Sequence, residues 1–146
     1  MKISTKGRYA VRVMLDLALH DNGDYNKVKN IADRQGLSEK YLEQIISILN
    51  RAGFVKSTRG TQGGYKIAKS PDQYTVGMVL RLTEGTMSPV SCLDGDDSAC
   101  ERCDTCEPIS VWRDLADAIN GVVDNVTIAD LVKQHKDKGN SSEYSI

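Results

Sequence analysis

Cys92, Cys100, Cys103 and Cys106 are the only four cysteines of the chain, and they follow one another at x7, x2 and x2 spacing. Thiolates gathered in one stretch are soft ligands that a single loop can turn towards one metal centre. The last three match part of the C-x2-C-x2-C run of ferredoxin-type clusters, and C-x2-C pairs also build tetrahedral zinc sites. Disulfides are a third chemistry, disfavoured in a cytosolic chain. Asp94, Asp96, Asp97, Glu101, Asp104 and Glu107 surround the thiols, against Arg102 alone. Such a field raises thiol pKa values and blunts free nucleophiles, whereas it favours a bound cation. All four cysteines are therefore expected to be ligands, with iron–sulfur and zinc both open.

A second chemistry lies upstream. Residues 1–69 carry 13 Lys/Arg against 6 Asp/Glu (+7), and residues 70–146 carry 6 against 14 (−8), which together give the net −1. A basic half favours a polyanionic partner such as nucleic acid, and the acidic half should sit away from phosphates. Lys2, Lys6, Arg8 and Arg12 crowd the start of the first helical segment. Cations there oppose the helix macrodipole, an arrangement that a phosphate at that end would relieve.

The elements that position these groups follow from periodicity and caps. Residues 5–20 are expected to form a mostly buried helix on Tyr9, Val13, Met14 and Leu17, capped by Ser4 or Thr5 and followed by an Asn22-Gly23 turn. A short helix over 27–35 stops at Gly36. Ser38 then caps a third helix with the apolar stripe Leu42, Ile45, Ile46 and Leu49, ending at Gly53. Strand-prone runs 54–57 and 65–68 flank Arg59-Gly60-Thr61-Gln62-Gly63-Gly64, a hairpin. Thr75 caps a helix reaching about residue 84. Pro108 opens a further helix whose Trp112, Leu115, Ala116, Ile119, Val122 and Val123 stripe is longer than a small core needs, and is expected to be a dimer seam. Thr127 caps a last turn or two, and a polar, disordered tail is expected from 134. The expected divisions are a DNA-binding unit over 1–84, a linker and cysteine loop over 85–107, dimerisation and terminal helices over 108–133, and the tail 134–146.

Helix, glycine turn, helix and glycine hairpin is the order of a winged helix-turn-helix, here mainly α with a small β wing. The helix after Ser38 presents Lys40, Glu43, Gln44, Ser47 and Arg51 opposite its apolar stripe, as a helix in a major groove must. Gln44 suits adenine, Lys40 guanine or phosphate, and Ser38 and Tyr41 backbone oxygens. The thin tip can carry Arg59 and Gly60 into a narrow minor groove. Lys6, Arg8 and Tyr9 complete the expected DNA-contacting set. His20 and His135 lie far apart in sequence, and no nucleophile elbow, phosphate loop or triad pattern is present, so no enzyme is expected. No apolar leader or long apolar run occurs, and a cytosolic protein is expected.

Lys6-Gly7-Arg8-Tyr9-Ala10-Val11, Tyr41-Leu42-Glu43-Gln44, Arg59-Gly60 with Gly63-Gly64-Tyr65, the cysteine loop and Trp112-Arg113-Asp114-Leu115 together resemble the IscR-like winged-helix regulators, over residues 1 to about 132. The resemblance implies a homodimeric transcription factor on a palindromic operator of double-stranded DNA, with no membrane or small-molecule substrate. It implies long C-terminal helices crossing at the dimer interface and an iron–sulfur cluster in the preceding loop that reports cluster supply, redox state or nitric oxide. Relatives that govern cysteine metabolism lack the cluster. By this resemblance Cys92, Cys100 and Cys106 are the family's three loop cysteines. Members with a histidine as fourth ligand have it where this chain has Ile109, and others use an acid where it has Arg8. Cys103 is the additional thiol, and full cysteine ligation is consistent with a [2Fe–2S] or a [4Fe–4S] cluster. The alternatives are a cluster-free zinc- or thiol-responsive regulator and a ferredoxin-like electron carrier.

Overall fold

Ser4 starts the first helix, α1 (Thr5–Leu19), by holding an extended backbone and accepting a hydrogen bond from the Gly7 N–H at 3.0 Å. One face of α1 places Ala10, Val13, Met14 and Leu17 out of solvent. The computed structural model describes residues 2–94 and 105–143, with side chains through 139. Cys100 and Cys103 lie outside the described residues.

α2 (Val28–Gln35) ends on Gly36, whose φ of +66° is left-handed and suits a residue without Cβ. The chain turns at once into α3 (Glu39–Arg51), where the Ser38 hydroxyl oxygen accepts from the Tyr41 N–H at 3.1 Å. Leu42, Ile45, Ile46 and Leu49 are all buried, as their spacing predicts. Each such side chain contributes about 1.5–3 kcal/mol by leaving water, which fixes α3 by one face and leaves the other free.

β1 (Val55–Thr58) and β2 (Gly64–Ile67) pair antiparallel, from Val55 opposite Ile67 to Thr58 opposite Gly64. The stem is braced from the side. Asn26 and Tyr65 exchange backbone hydrogen bonds of 2.7 and 2.8 Å, so the loop between α1 and α2 acts as a third, one-residue strand. Gly64 is required there, because a Cβ would strike the Asn26 carbonyl.

After a one-turn 3-10 helix (Pro71–Gln73), Thr75 caps α4 (Val76–Glu84) by accepting from the Met78 N–H at 3.0 Å. A second 3-10 turn (Ser91–Leu93) leads to the cysteine loop. α5 (Ile109–Val123) begins immediately after Pro108 and buries only Ile109. The chain then returns to the first unit. Val76 N–H donates to the Val126 carbonyl and Ile128 N–H to the Tyr74 carbonyl, both at 2.8 Å.

That return alters two expectations. Ile128 is fully buried and Leu131 packs beside it in the core formed by α1, α3 and the wing stem. The start of the last helix thus completes the core of the N-terminal unit instead of trailing behind α5. This last helix, α6, runs Ile128–Glu143, so 134–143 is helical where a disordered tail is expected. Asp130 and Thr127 explain the firm start: Thr127 N–H donates to Asp130 Oδ2 (2.9 Å) and Asp130 N–H to Thr127 Oγ1 (3.0 Å). Once nucleated against α1, the helix is extended by residues of fair propensity such as Lys133, Gln134, Lys136 and Lys138.

Candidate nucleic-acid interface and cysteine loop

On α3, Lys40, Glu43, Gln44, Ser47 and Arg51 are all exposed, forming the polar face that the sequence anticipates. Tyr41 is half-buried and meets Tyr9 of α1 edge to face, with ring centroids 6.3 Å apart. The two tyrosines join α1 to the first turn of α3. Ser38 is committed to its cap through its oxygen, but its hydroxyl hydrogen remains able to donate. Arg59 and Gly60 are exposed at the hairpin tip, and Lys6 is half-buried on α1.

The start of α1 differs from its expected chemistry. Glu84, at the end of α4, sits over that terminus and accepts from the Ser4 N–H (2.9 Å) and the Ser4 hydroxyl (2.6 Å). The anion that complements the helix end is therefore internal. The cations lie along the flank instead. Arg8 Nη2 donates to Thr5 Oγ1 at 3.0 Å, and the Arg12 guanidinium lies 5.1 Å over the Tyr9 ring.

Sequence periodicity also misses a buried charge. Asp16 occupies the apolar side of α1 at 3 % exposure. It accepts from Arg34 Nη2 at 2.7 Å, from Arg34 Nε at 3.0–3.2 Å and from Gln35 Nε2 at 2.8 Å. The available signal is an acid among Val13, Met14 and Leu17, which must find a partner to be buried. The cation comes from α2, which no helical periodicity within α1 can reveal.

The two described thiols frame the cysteine loop. Cys92 is exposed within the Ser91–Leu93 turn, and Thr86 donates to Asp94 Oδ1 at 2.7 Å just beyond it. Cys106 is half-buried, and its carbonyl accepts from the Ile109 N–H at 3.2 Å, in the first turn of α5. Among the described residues, no group of three or more His, Cys, Asp or Glu side chains converges as a metal site. Ile109 is buried and Arg8 is bonded to Thr5, so neither position supplies a ligand.

The far end of α5 is tied to α4. Arg81 of α4 grips Asp124 with hydrogen bonds of 2.6 and 2.9 Å and also donates to Asn120 at 2.9 Å. These bonds hold the Asp124 carboxyl below the usual carboxylate range and raise the Arg81 guanidinium, with desolvation opposing both. Elsewhere α5 is bare: Val111, Trp112, Leu115 and Val122 are 37–64 % exposed. Beside them an apolar cleft of about 400 Å³ is lined by Ile3, Met87, Ala118, Ile119, Val122 and Val123, among others. No helix among the described residues is long and apolar enough to cross a membrane.

Comparison with known proteins agrees with this geometry. Residues 3–134 match the model of the Rrf2 family, described as iron-dependent transcriptional regulators. The HTH-type transcriptional regulator IscR of Pectobacterium carotovorum is 39% identical over 132 residues, covering 90% of this chain and 79% of the relative. The solved structure of CymR, the global cysteine regulator of B. subtilis, superposes with a TM-score of 0.76 at 40% identity, covering 92% of this chain and 98% of that one. IscR of T. potens superposes with a TM-score of 0.73 at 41% identity, covering 92% and 88%. These neighbours share the mainly helical winged-helix fold with its two-stranded hairpin, and the bare face of α5 fits a family whose members bind DNA and generally dimerise. The chain belongs to the Rrf2 family of transcriptional regulators.

Proposed function

We propose that the chain is a homodimeric, sequence-specific repressor whose grip on a palindromic operator is set by an iron–sulfur cluster. Cys92, Cys100 and Cys106 would hold the cluster, with Cys103 as the additional thiol. The observation that carries this reading is the position of Cys106: its carbonyl is the acceptor for the first turn of α5. Any constraint on that thiol is a constraint on the start of the dimer helix. At the other end of α5, Arg81 and Asp124 pass its orientation to α4, which packs on α1. Ordering the loop between Cys92 and Cys106 thereby biases the angle between two reading heads.

In each head α3 enters a major groove with Lys40 and Gln44 towards base edges, and Ser38, Tyr41, Lys6, Arg8 and Tyr9 towards the phosphate backbone. Arg59 and Gly60 enter the adjacent minor groove. The donor set fits the cofactor: several soft thiolates in an acidic stretch suit an iron centre, and Cys103 supplies the ligand that Ile109 and Arg8 do not. When bound, the cluster supplies a centre reactive to oxygen and nitric oxide.

A cluster-free, zinc- or thiol-responsive regulator is the second reading, favoured by the close superposition on the cysteine regulator CymR. An electron carrier leaves the family match over residues 3–134 unexplained. Anaerobic purification separates the readings. A brown protein with visible absorbance, iron and acid-labile sulfide, whose operator affinity changes when the cluster is removed, is the expected outcome. A colourless protein with stoichiometric zinc sinks the cluster reading, and failure to retain any duplex in a gel shift sinks the regulator.

A further inference from the structure

Arg12 is held in place before any ligand arrives. Its Nε donates to Gln35 Oε1 at 3.0 Å, and its guanidinium carbon lies 5.1 Å over the Tyr9 ring. The Gln35 amide is itself oriented, because its Nε2 donates at 2.8 Å to Asp16 Oδ2. A flipped amide would set its oxygen against a carboxylate, so the oxygen must face Arg12. Asp16 in turn is buried and gripped by Arg34. The chain of bonds therefore runs from a fixed buried charge, through one amide, to an exposed guanidinium.

The terminal amino groups of Arg12 donate to no protein acceptor among the described residues, and neither Arg8 nor Arg12 has an ion-pair partner there. Arg8, Arg12, Thr5 and Tyr9 line a depression of about 250 Å³ on the flank of α1. Two cations one helical turn apart repel each other, and sharing an anion reverses the sign of that contribution. Tyr9 continues this surface to Tyr41 and the first turn of α3. An anion here lies beside the end of the reading helix, where a DNA strand borders the groove.

We infer that Arg12 is a DNA phosphate contact, seated with Arg8 in this depression, and that Gln35 is its positioning residue, anchored by Asp16. The inference rests on the DNA-binding reading and adds a contact and its support to it. Because Tyr9, Gln35 and Asp16 already restrict the guanidinium, little of the large rotamer freedom of an arginine is left to lose on binding. The contact carries no base information, so it acts alike on every sequence.

The test uses the full-length holoprotein with two duplexes: one selected by the wild type from a random pool, and one of mixed sequence. Arg12→Gln is expected to weaken binding to both by a similar factor. It should also flatten the slope of log K against log salt by about 0.9, the signature of one lost phosphate contact. Gln35→Met is expected to weaken binding several-fold by itself but to add nothing to Arg12→Gln. Wild-type affinity and salt slope in Arg12→Gln overturn the inference. So does an equal penalty from Gln35→Met in both backgrounds, which marks it as a packing residue only. If the wild type binds neither duplex, the DNA-binding reading has failed, and the two failures are thereby distinct.

Discussion

At the scale of the residue, burial and exposure divide the labour of the charged side chains. The buried Asp16 carboxylate holds α2 against α1 through Arg34, whereas Lys40, Arg51 and Arg59 stand in solvent without such a partner among the described residues. Among the described residues Arg59 has no side-chain hydrogen bond or ion pair, so its value lies in a complex. Arg59→Ala is expected to cost about 1–3 kcal/mol of operator binding and to relax specificity where the wing meets A·T pairs. Equal binding of mutant and wild type across a site library would reject that role. Asp124 illustrates the opposite case, a carboxylate at the negative end of α5 that Arg81 compensates. Its folded pKa is depressed, so its contribution is full above the ordinary carboxylate value and is lost as pH falls through the folded one. Both side chains are more than a third exposed, at 37 % and 42 %, so the pair contributes under about 1 kcal/mol. Asp124→Asn is expected to lower Tm by about 2 °C near neutral pH. The difference should shrink as pH falls through and below the ordinary carboxylate range, which a series of melting curves checks.

At the scale of the element, the helices are specified by an apolar stripe and, for α1, α3, α4 and α6, by a side-chain cap, but the stripes face different things. The stripe of α3 is buried within its own chain, and that of α5 is largely bare. The apolar cleft flanking α5 continues the same surface. Together they form an apolar area of the kind that marks a contact surface. Val122, at 64 % exposure, makes this testable. Val122→Asp is expected to shift the protein from dimer to monomer in sedimentation, because a charge in a closing apolar seam is left unpaired. Helical content should persist, since Val122 adds little to the core of its own subunit. An unchanged dimer mass would show that the seam lies elsewhere.

At the scale of the whole molecule, the path of the chain matters more than any contact. The chain leaves the reading unit after α4, passes the cysteine loop, runs out along α5, and returns at Val126–Ile128 to complete the core. Cys106 meets the start of α5 through its carbonyl, so on the cluster reading the loss of a ligand at Cys92 releases a constraint at that helix start. Cys92→Ala is therefore expected to abolish the cluster's visible absorbance. It should also make operator affinity indifferent to cluster reconstitution, with the dimer and its melting temperature nearly unchanged. A monomeric or unfolded mutant would show instead that the loop is part of the core.

The sequence by itself determined the elements of the reading unit and much of its chemistry. Ser4, Ser38 and Thr75 mark helix starts, Gly36 marks a turn, and the stripe from Leu42 to Leu49 marks a buried face, because caps and periodicity act over one or two turns of chain. The polar face of α3, the wing tip and the cysteine spacing are local for the same reason. Only the tertiary structure decided which charges meet. Glu84 takes the end of α1, Arg34 and Gln35 converge on Asp16, and Arg81 ties down Asp124 across 43 positions of sequence. It likewise decided that Ile128 belongs to the core and that α6 extends to Glu143. Pairings between distant positions leave no periodic trace in a single chain: they are chosen by how packed helices place the few charges that must be buried or shared.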